Sequence, residues 1–212
     1  MSILPYCIVD EFAEIHPPAF GVREATIHDL SAAGLRCFYS EMDGMPTAET
    51  VREDALQFHE FVHAAFAQGT VIPFRFVTLL ESEDELEAFL RRKAEAYVPA
   101  LERLEGTVQF EMRISNKSPE QVEETATEDS RERQAALHDA AAALQQAAGD
   151  LALGWHTRND EEHARCYGLV RRDSAQALRE KLSKVALPPE IRVVMSGPWP
   201  PSEFVDVQAQ QA

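Results

Sequence analysis

Glu190-Ile-Arg-Val-Val-Met-Ser196 runs directly into Gly197-Pro198-Trp199-Pro200-Pro201-Ser202-Glu203-Phe204-Val205, near the end of a 212-residue chain. Ile191, Val193 and Val194 give the first half the β-branched content of a strand. Three prolines within four positions then fix φ and remove three backbone donors, so the second half can join neither a helix nor a central strand. Gly197 permits the turn out of the strand, and Trp199 is carried on a stiff, extended backbone. The chain's last strand is therefore fixed at residues 191–196, and the elements before it can be counted back from there.

Counting back gives a helix with Ala175, Leu178, Leu182 and Val185 inward, capped by Asp173 and stopped by Pro188-Pro189. Before it, residues 164–170 read as a strand, paired across a polar turn at 158–162 with a half-buried strand in which Leu151, Leu153 and Trp155 alternate. An alanine-rich helix, residues 135–148, sets Leu137, Ala141, Leu144 and Ala148 on one face and closes at Gly149. Residues 118–132 are polar and acidic, a solvated loop or frayed helix start. Residues 107–114 alternate as a strand. The order β-α-β-β-α-β is the ferredoxin-like arrangement of two split βαβ units.

The first half gives strands at 3–9 and 35–40, then a helix starting at Pro46-Thr47 with Val51, Ala55, Phe58, Val62, Ala65 and Phe66 in one stripe, ended by Gly69. Residues 71–77 read as extended chain. Ser82-Glu-Asp-Glu85 has capping-box spacing and opens a second helix, which Pro99 is expected to kink or restart before Gly106. The expectation is an α+β protein of two domains: an N-terminal α+β domain over 1–105, a C-terminal ferredoxin-like domain over 106–205, and a disordered tail over 206–212.

Composition excludes several functions. The chain holds 36 acidic against 20 basic side chains, a net charge of −16, so phosphate backbones and anionic membrane surfaces are repelled at long range. No nucleic acid or membrane partner is expected. Cys7, Cys37 and Cys166 are odd in number and form no CxxC pair, which suits reduced thiols in a cytoplasm rather than a disulfide framework or zinc knuckle. The N-terminus lacks a secretion signal, and no apolar run is long enough to span a bilayer.

Three places invite a chemical reading. His59-Glu60-Phe61-Val62-His63 matches HExxH, the helical zinc motif with a glutamate base, and implies a zinc-dependent hydrolase as the alternative function. No third histidine follows at the required distance, so His59 is expected to pack beside the apolar stripe and bond a neighbouring backbone group or carboxylate; neither metal nor cofactor is expected. Arg75, between Phe74 and Phe76, points away from both rings in an extended segment. It is expected to pair with Glu81 or Glu83, the functional reading being a cation offered to a partner. Trp199 is either a clamp packed between the domains, near Trp155, or a recognition platform.

Several of these stretches together resemble the gas vesicle GvpL/GvpF family. The strand ending in Gly197-Pro198-Trp199-Pro200-Pro201 with Phe204 beyond is similar to that family's closing signature. Tyr6-Cys-Ile-Val9 resembles its opening strand, and Gly106-Thr-Val-Gln-Phe-Glu-Met-Arg-Ile114 its central one. His59-Glu60, Val71-Ile-Pro73-Phe-Arg75-Phe76 and the acidic run 79–86 are similar to its middle signature. Ser202 stands where the family usually places tyrosine, and its glycine-tyrosine-leucine helix start is missing between residues 115 and 148. The resemblance implies a cytoplasmic, gas-vesicle-associated, non-enzymatic structural or accessory protein. It would work through contacts with the small hydrophobic shell protein or other accessory proteins, with the motif residues His59, Glu60, Pro73, Arg75, Phe76, Gly197, Pro198, Trp199, Pro200, Pro201 and Phe204 as interaction candidates. A stand-alone binding module that keeps the fold is the remaining alternative. The edge of the second domain's sheet and residues 71–77 are the expected contact strips.

Overall fold

The computed structural model describes residues 2–116, 128–159 and 163–206. They form two compact units. One comprises Met1–Gly106 together with residues 200–206; the other is Thr107–Trp199. Residues 200–205, assigned by the sequence reading to the C-terminal domain, thus group with the first unit. The tail expected over 206–212 lies outside the described residues except for Asp206.

In the first unit, β1 (Ser2–Asp10), β2 (Ile27–Ala32), β3 (Leu35–Met42) and β4 (Ile72–Pro73) form an antiparallel sheet in the order β2-β3-β1-β4. β1 is buried along both faces, as its run of apolar residues requires of an inner strand. Pro5 has no N–H to give the ladder, and the pairing with β3 shifts register between Pro5 and Cys7. β2 has no counterpart in the sequence reading. Its Ile-His-Asp-Leu-Ser-Ala carries too little apolar alternation, and its turn to β3 is Ala33-Gly34, both at positive φ (54° and 83°), in place of the usual Asn-Gly.

Helix α1 (Val51–Phe66) buries Phe58, Phe61, Val62, Ala65 and Phe66, and with them Asp54. It starts one turn later than Pro46-Thr47, because Thr47 and Thr50 first close a reciprocal turn through their hydroxyls. Helix α2 (Glu83–Arg103) is capped as its sequence requires: the Glu85 N–H donates to Ser82 Oγ, and the Glu85 carboxylate accepts from the Glu81 N–H. Pro99 neither ends nor restarts it; α2 runs through as one element. The loss is confined to one donor in the last turn but one.

The second unit holds β5 (Thr107–Asn116), α3 (Glu128–Ala148), β6 (Ala152–Asn159), β7 (His163–Arg171), α4 (Ala175–Leu182) and β8 (Ile191–Trp199). The sheet order is β6-β7-β5-β8, with every neighbour antiparallel. That is the order of two split βαβ units, so this is a ferredoxin-like domain. The expected loop over 118–132 falls largely outside the described residues, and α3 already begins at Glu128. On one face of the sheet Val108, Phe110, Met112 and Ile114 are at most 1 % exposed; α3 lies against β5 and β7 and α4 against β7, and Leu137, Ala141, Leu144 and Ala148 of α3 and Leu178 and Leu182 of α4 are buried too. A register shift between Ala152 and Gly154 breaks the alternation expected of β6. It turns Leu153 out to 53 % exposure while Trp155 lies over Gly168. β8 runs to Trp199 as an edge strand, where its proline takes no donor from an inner ladder.

Candidate interaction surfaces

The HExxH histidines lie on the outer face of α1. His59, Glu60 and His63 are all exposed, and the two imidazole rings are 6.2 Å apart. The expectation that His59 packs beside the stripe is therefore corrected; the helix turns Phe58 and Phe61 inward instead, where they meet the ring of Tyr6 at 5.2 and 4.3 Å. Among the described residues no group of three or more His, Cys, Asp or Glu side chains is placed to hold a metal ion.

Residues 71–77 begin as a strand and leave it at once. Ile72 and Pro73 pair with Ile8 and Cys7, and the Phe74 N–H donates to the Tyr6 carbonyl at 2.9 Å. Phe74 and Phe76 are half-buried, 5.3 Å from Phe89 and 5.4 Å from Phe58. Arg75 points outward between them, as alternation requires, and is exposed. It forms no ion pair with a described residue, contrary to the pairing expected with Glu81 or Glu83. The Glu83 carboxylate accepts instead from the Tyr39 hydroxyl, and the Arg75 carbonyl accepts from the N–H and hydroxyl of Thr78.

In the closing signature, backbone shape dominates. Gly197 sits at φ 122°, and a Cβ there would stand 2.8 Å from the Gln109 carbonyl oxygen and 3.1 Å from Phe110 Cδ1. The Gly197–Pro198 peptide is cis, and the Gly197 carbonyl accepts from Arg179 Nη2 at 2.6 Å. Trp199 is half-buried, pairs with Gln109, and donates its indole N–H to Ser196 Oγ at 3.1 Å. Pro198 is exposed. Pro200 and Pro201 lead into a single helical turn, Ser202–Phe204, that buries Pro201, Phe204 and Val205 in the first unit. Arg103, the last residue of α2, donates to the carbonyls of Phe204 and Val205 at 2.9 and 3.3 Å and ties the turn down.

The most elaborate polar site of the first unit escaped the sequence reading. Arg23, at φ 57°, reaches the carboxylate of Asp54 through Nε (3.1 and 3.2 Å) and Nη2 (2.6 Å), and touches Thr50 Oγ1 and the Asp43 carbonyl. Its own N–H donates to Gln57 Oε1. The adjoining Val22 N–H donates to the buried Tyr6 hydroxyl, which is also bonded to Ser40 Oγ. Hydrogen bonding from Arg23 holds the Asp54 carboxyl below its ordinary value, and burial pushes the Tyr6 phenol up. The one signal in sequence was Asp54 itself, a charge at an inward position of the α1 stripe. Beside this network a groove of about 340 Å³ is lined by Ala25, Thr26, His28, Glu41 and Asp43. The network is closed on itself and joins a loop to a helix; it offers no reactive group.

No helix among the described residues is long and apolar enough to cross a membrane. The family described as gas vesicle synthesis protein GvpL/GvpF matches this chain over residues 3–150 and 117–206. No curated protein sequence matches it. Among solved structures, the gas vesicle protein GvpF from Anabaena sp. PCC7120 superposes with a TM-score of 0.73 at 14% identity, over 96% of this chain and 95% of that one. The gas vesicle protein GvpF from Microcystis aeruginosa superposes with a TM-score of 0.69 at 13% identity, over 96% and 98% of the two chains. At such identities these structures establish the fold.

Proposed function

We propose a function from one premise, that this chain belongs to the gas vesicle synthesis protein GvpL/GvpF family: it is a non-enzymatic component of gas vesicle formation that works by protein–protein contact. Its partners are the small apolar shell protein or other accessory proteins of the vesicle, and its place is with the vesicle in the cytoplasm. The observation that carries the reading is the family match, which extends over both units.

The described geometry supports contact over chemistry. The motif residues include some that shape backbone or core (Gly197, Pro201, Phe204) and some that are turned outward (Glu60, Arg75, Pro198). Residues 71–77 remain one contact strip, with Arg75 presented between two half-buried rings. On the second sheet, β6 is the more suitable edge. It carries no proline and exposes Leu153, whereas Pro198 blunts the edge of β8.

Deletion of the gene in a vesicle-forming host, with complementation by the intact chain, tests the reading; loss and recovery of vesicles is the expected result. Pull-down of the purified chain with the shell protein tests direct contact, and Arg75→Glu is expected to weaken it. Normal vesicles in the deletion strain would overturn the proposal. A neighbouring gene for a short, strongly apolar protein separates a working vesicle component from a stand-alone module that keeps the fold.

A further inference from the structure

β2 is the outer strand of the first unit's sheet, and part of its outer edge is unpaired. The two-residue turn Ala33-Gly34 makes Ala32 and Leu35 a doubly bonded pair. Alternation then aims the backbone of Leu30 and His28 at β3 and that of Ile27, Asp29 and Ser31 away from it. Another segment of the chain begins to pair on that outer side. The Ile27 N–H donates to the Ala19 carbonyl at 3.0 Å, Phe20 pairs with Thr26, and the Gly21 N–H donates to the Ala25 carbonyl at 2.9 Å. Continued in that register, Pro17 would oppose Asp29 and has no N–H to give, while Ile15, due opposite Ser31, already donates to the Ala13 carbonyl. The pairing stops there. Asp29 and Ser31 are exposed, and their outward N–H and C=O groups meet no partner among the described residues.

The edge lacks most of the protections an outer strand carries. β2 holds no proline, lysine or arginine, its register with β3 is unbroken by a bulge, and its one carboxylate is Asp29. α2 lies against one face of the strand, not across the exposed residues of the edge. The surroundings are acidic. By alternation Asp29 stands on one face, and on the other the groove of about 340 Å³ opens between Thr26, His28, Glu41 and Asp43. Both groove acids are exposed. Arg23 and Arg36 are engaged elsewhere, the one by Asp54 and the other by the Ala13 carbonyl. Exposed rings mark the two ends. Phe20, 62 % exposed, pairs with Thr26; Phe12, 84 % exposed, follows Glu11, whose N–H donates to the Gly34 carbonyl in the hairpin turn.

We infer that the edge of β2 at residues 29–31 takes up an extended, lysine-bearing segment of a partner protein as an added strand. Strand addition draws its affinity from main-chain hydrogen bonds and its specificity from alternate side chains. Asp29 and Ser31 each offer one donor and one acceptor to the incoming backbone. A lysine opposite Asp29 and another over the groove of Glu41 and Asp43 supply the charge match, and apolar side chains between them reach Phe12 and Phe20. A second copy of this chain fits less well. It brings its own Asp29 and a net charge of −16 to the same edge, with no lysine or arginine on β2 to offset them. This edge is separate from residues 71–77 and from β6, and the inference does not depend on the gas vesicle reading.

Titration of the isotope-labelled full chain with the peptide Val-Lys-Val-Lys-Val-Lys, followed through its amide NMR signals, tests it. Saturable shifts are expected at Asp29 and Ser31, with slowed hydrogen exchange of those two amides. The same peptide with every backbone nitrogen methylated should not bind, a control that needs no change to the protein. Ser31→Pro should abolish binding, because it removes an outward donor, and Asp29→Lys should weaken it about fivefold. Where Ser31→Pro fails to fold, the methylated peptide and Asp29→Lys decide. Absence of binding, equal binding of the methylated peptide, or shifts that bypass residues 29–31 would overturn the proposal. So would equal or tighter binding of Val-Glu-Val-Glu-Val-Glu, or a dimer of the parent that Ser31→Pro breaks up, since each names a different occupant.

Discussion

Arg23 and Asp54 form a two-pronged ion pair, with Nη2 2.6 Å from Oδ2, in which the acid is almost wholly buried and the base about one-third exposed (4% and 35% of the side chain). The asymmetry decides what each substitution does. Arg23→Met leaves a buried carboxylate with only Thr50 to meet it, and should cost about 3 kcal/mol. Asp54→Asn leaves a guanidinium that can turn to water, and should cost roughly 1 kcal/mol. Urea unfolding of the two variants checks the order; equal costs would refute it.

The same pair sets a pH dependence. The Asp54 carboxyl is depressed, chiefly by hydrogen bonding from Arg23. A group whose folded value is lowered contributes stability above its unfolded value, about 3.9, and that contribution is lost as pH falls through the folded value. The stability difference between parent and Asp54→Asn should therefore be level above about pH 5 and shrink below about pH 4. A difference that grew with acid would contradict the assignment.

What sequence made legible follows from how local each determinant is. The last strand and its tail are written in glycine and prolines whose constraints act within a residue or two, and the ferredoxin-like order follows from clean periodicities in α3, β7 and α4. β2 was illegible because half its residues are polar and its turn uses Ala33 where asparagine is usual. Pro99 does not restart the helix, because a helix held by Leu86, Leu90, Ala100 and Leu101 in the core tolerates one missing donor. The Arg23–Asp54 pair joins residues far apart in the chain. No local pattern announces which positions pairing will bring together.

Gly197 shows how strict such a local constraint is. At φ 122° an alanine is strained, and its Cβ would meet backbone, the Gln109 carbonyl at 2.8 Å, which cannot swing aside. Gly197→Ala should cost roughly 2 kcal/mol or more. Gly44→Ala, at φ 74° with nothing within 4 Å, should cost about 1 kcal/mol. Denaturant midpoints compare the two directly, and a Gly197→Ala variant no less stable than Gly44→Ala would remove the close approach from the explanation.

All three cysteines are buried. Burial pushes the Cys7 thiol up to about 12, and raises Cys37 and Cys166 as well, with Thr157 partly offsetting the last. The thiolate is the species that attacks a thiol reagent, so the native protein should not react with an aromatic disulfide at pH 8, while all three thiols should titrate in denaturant. Labelling of the native chain within minutes would mean that one of the strands carrying them opens.

Trp155 and Gly168 are cross-strand partners on the helix side of the second sheet, and each restricts the other. A Cβ on Gly168 would lie 3.0 Å from Trp155 Cζ3 and 3.1 Å from Cε3, both atoms of the indole's six-membered ring. The indole nitrogen is buried with no hydrogen-bond partner among the described residues, so Trp155→Phe removes an unsatisfied donor as well as bulk. Trp155→Phe should therefore cost less than the roughly 3–5 kcal/mol typical of an aromatic-to-alanine change, and Gly168→Ala roughly 1–3 kcal/mol by crowding. In the double variant the smaller ring leaves room for the new methyl, so the combined cost should fall short of the sum by about 0.5 kcal/mol or more. Strict additivity would mean that the ring does not rest on the glycine.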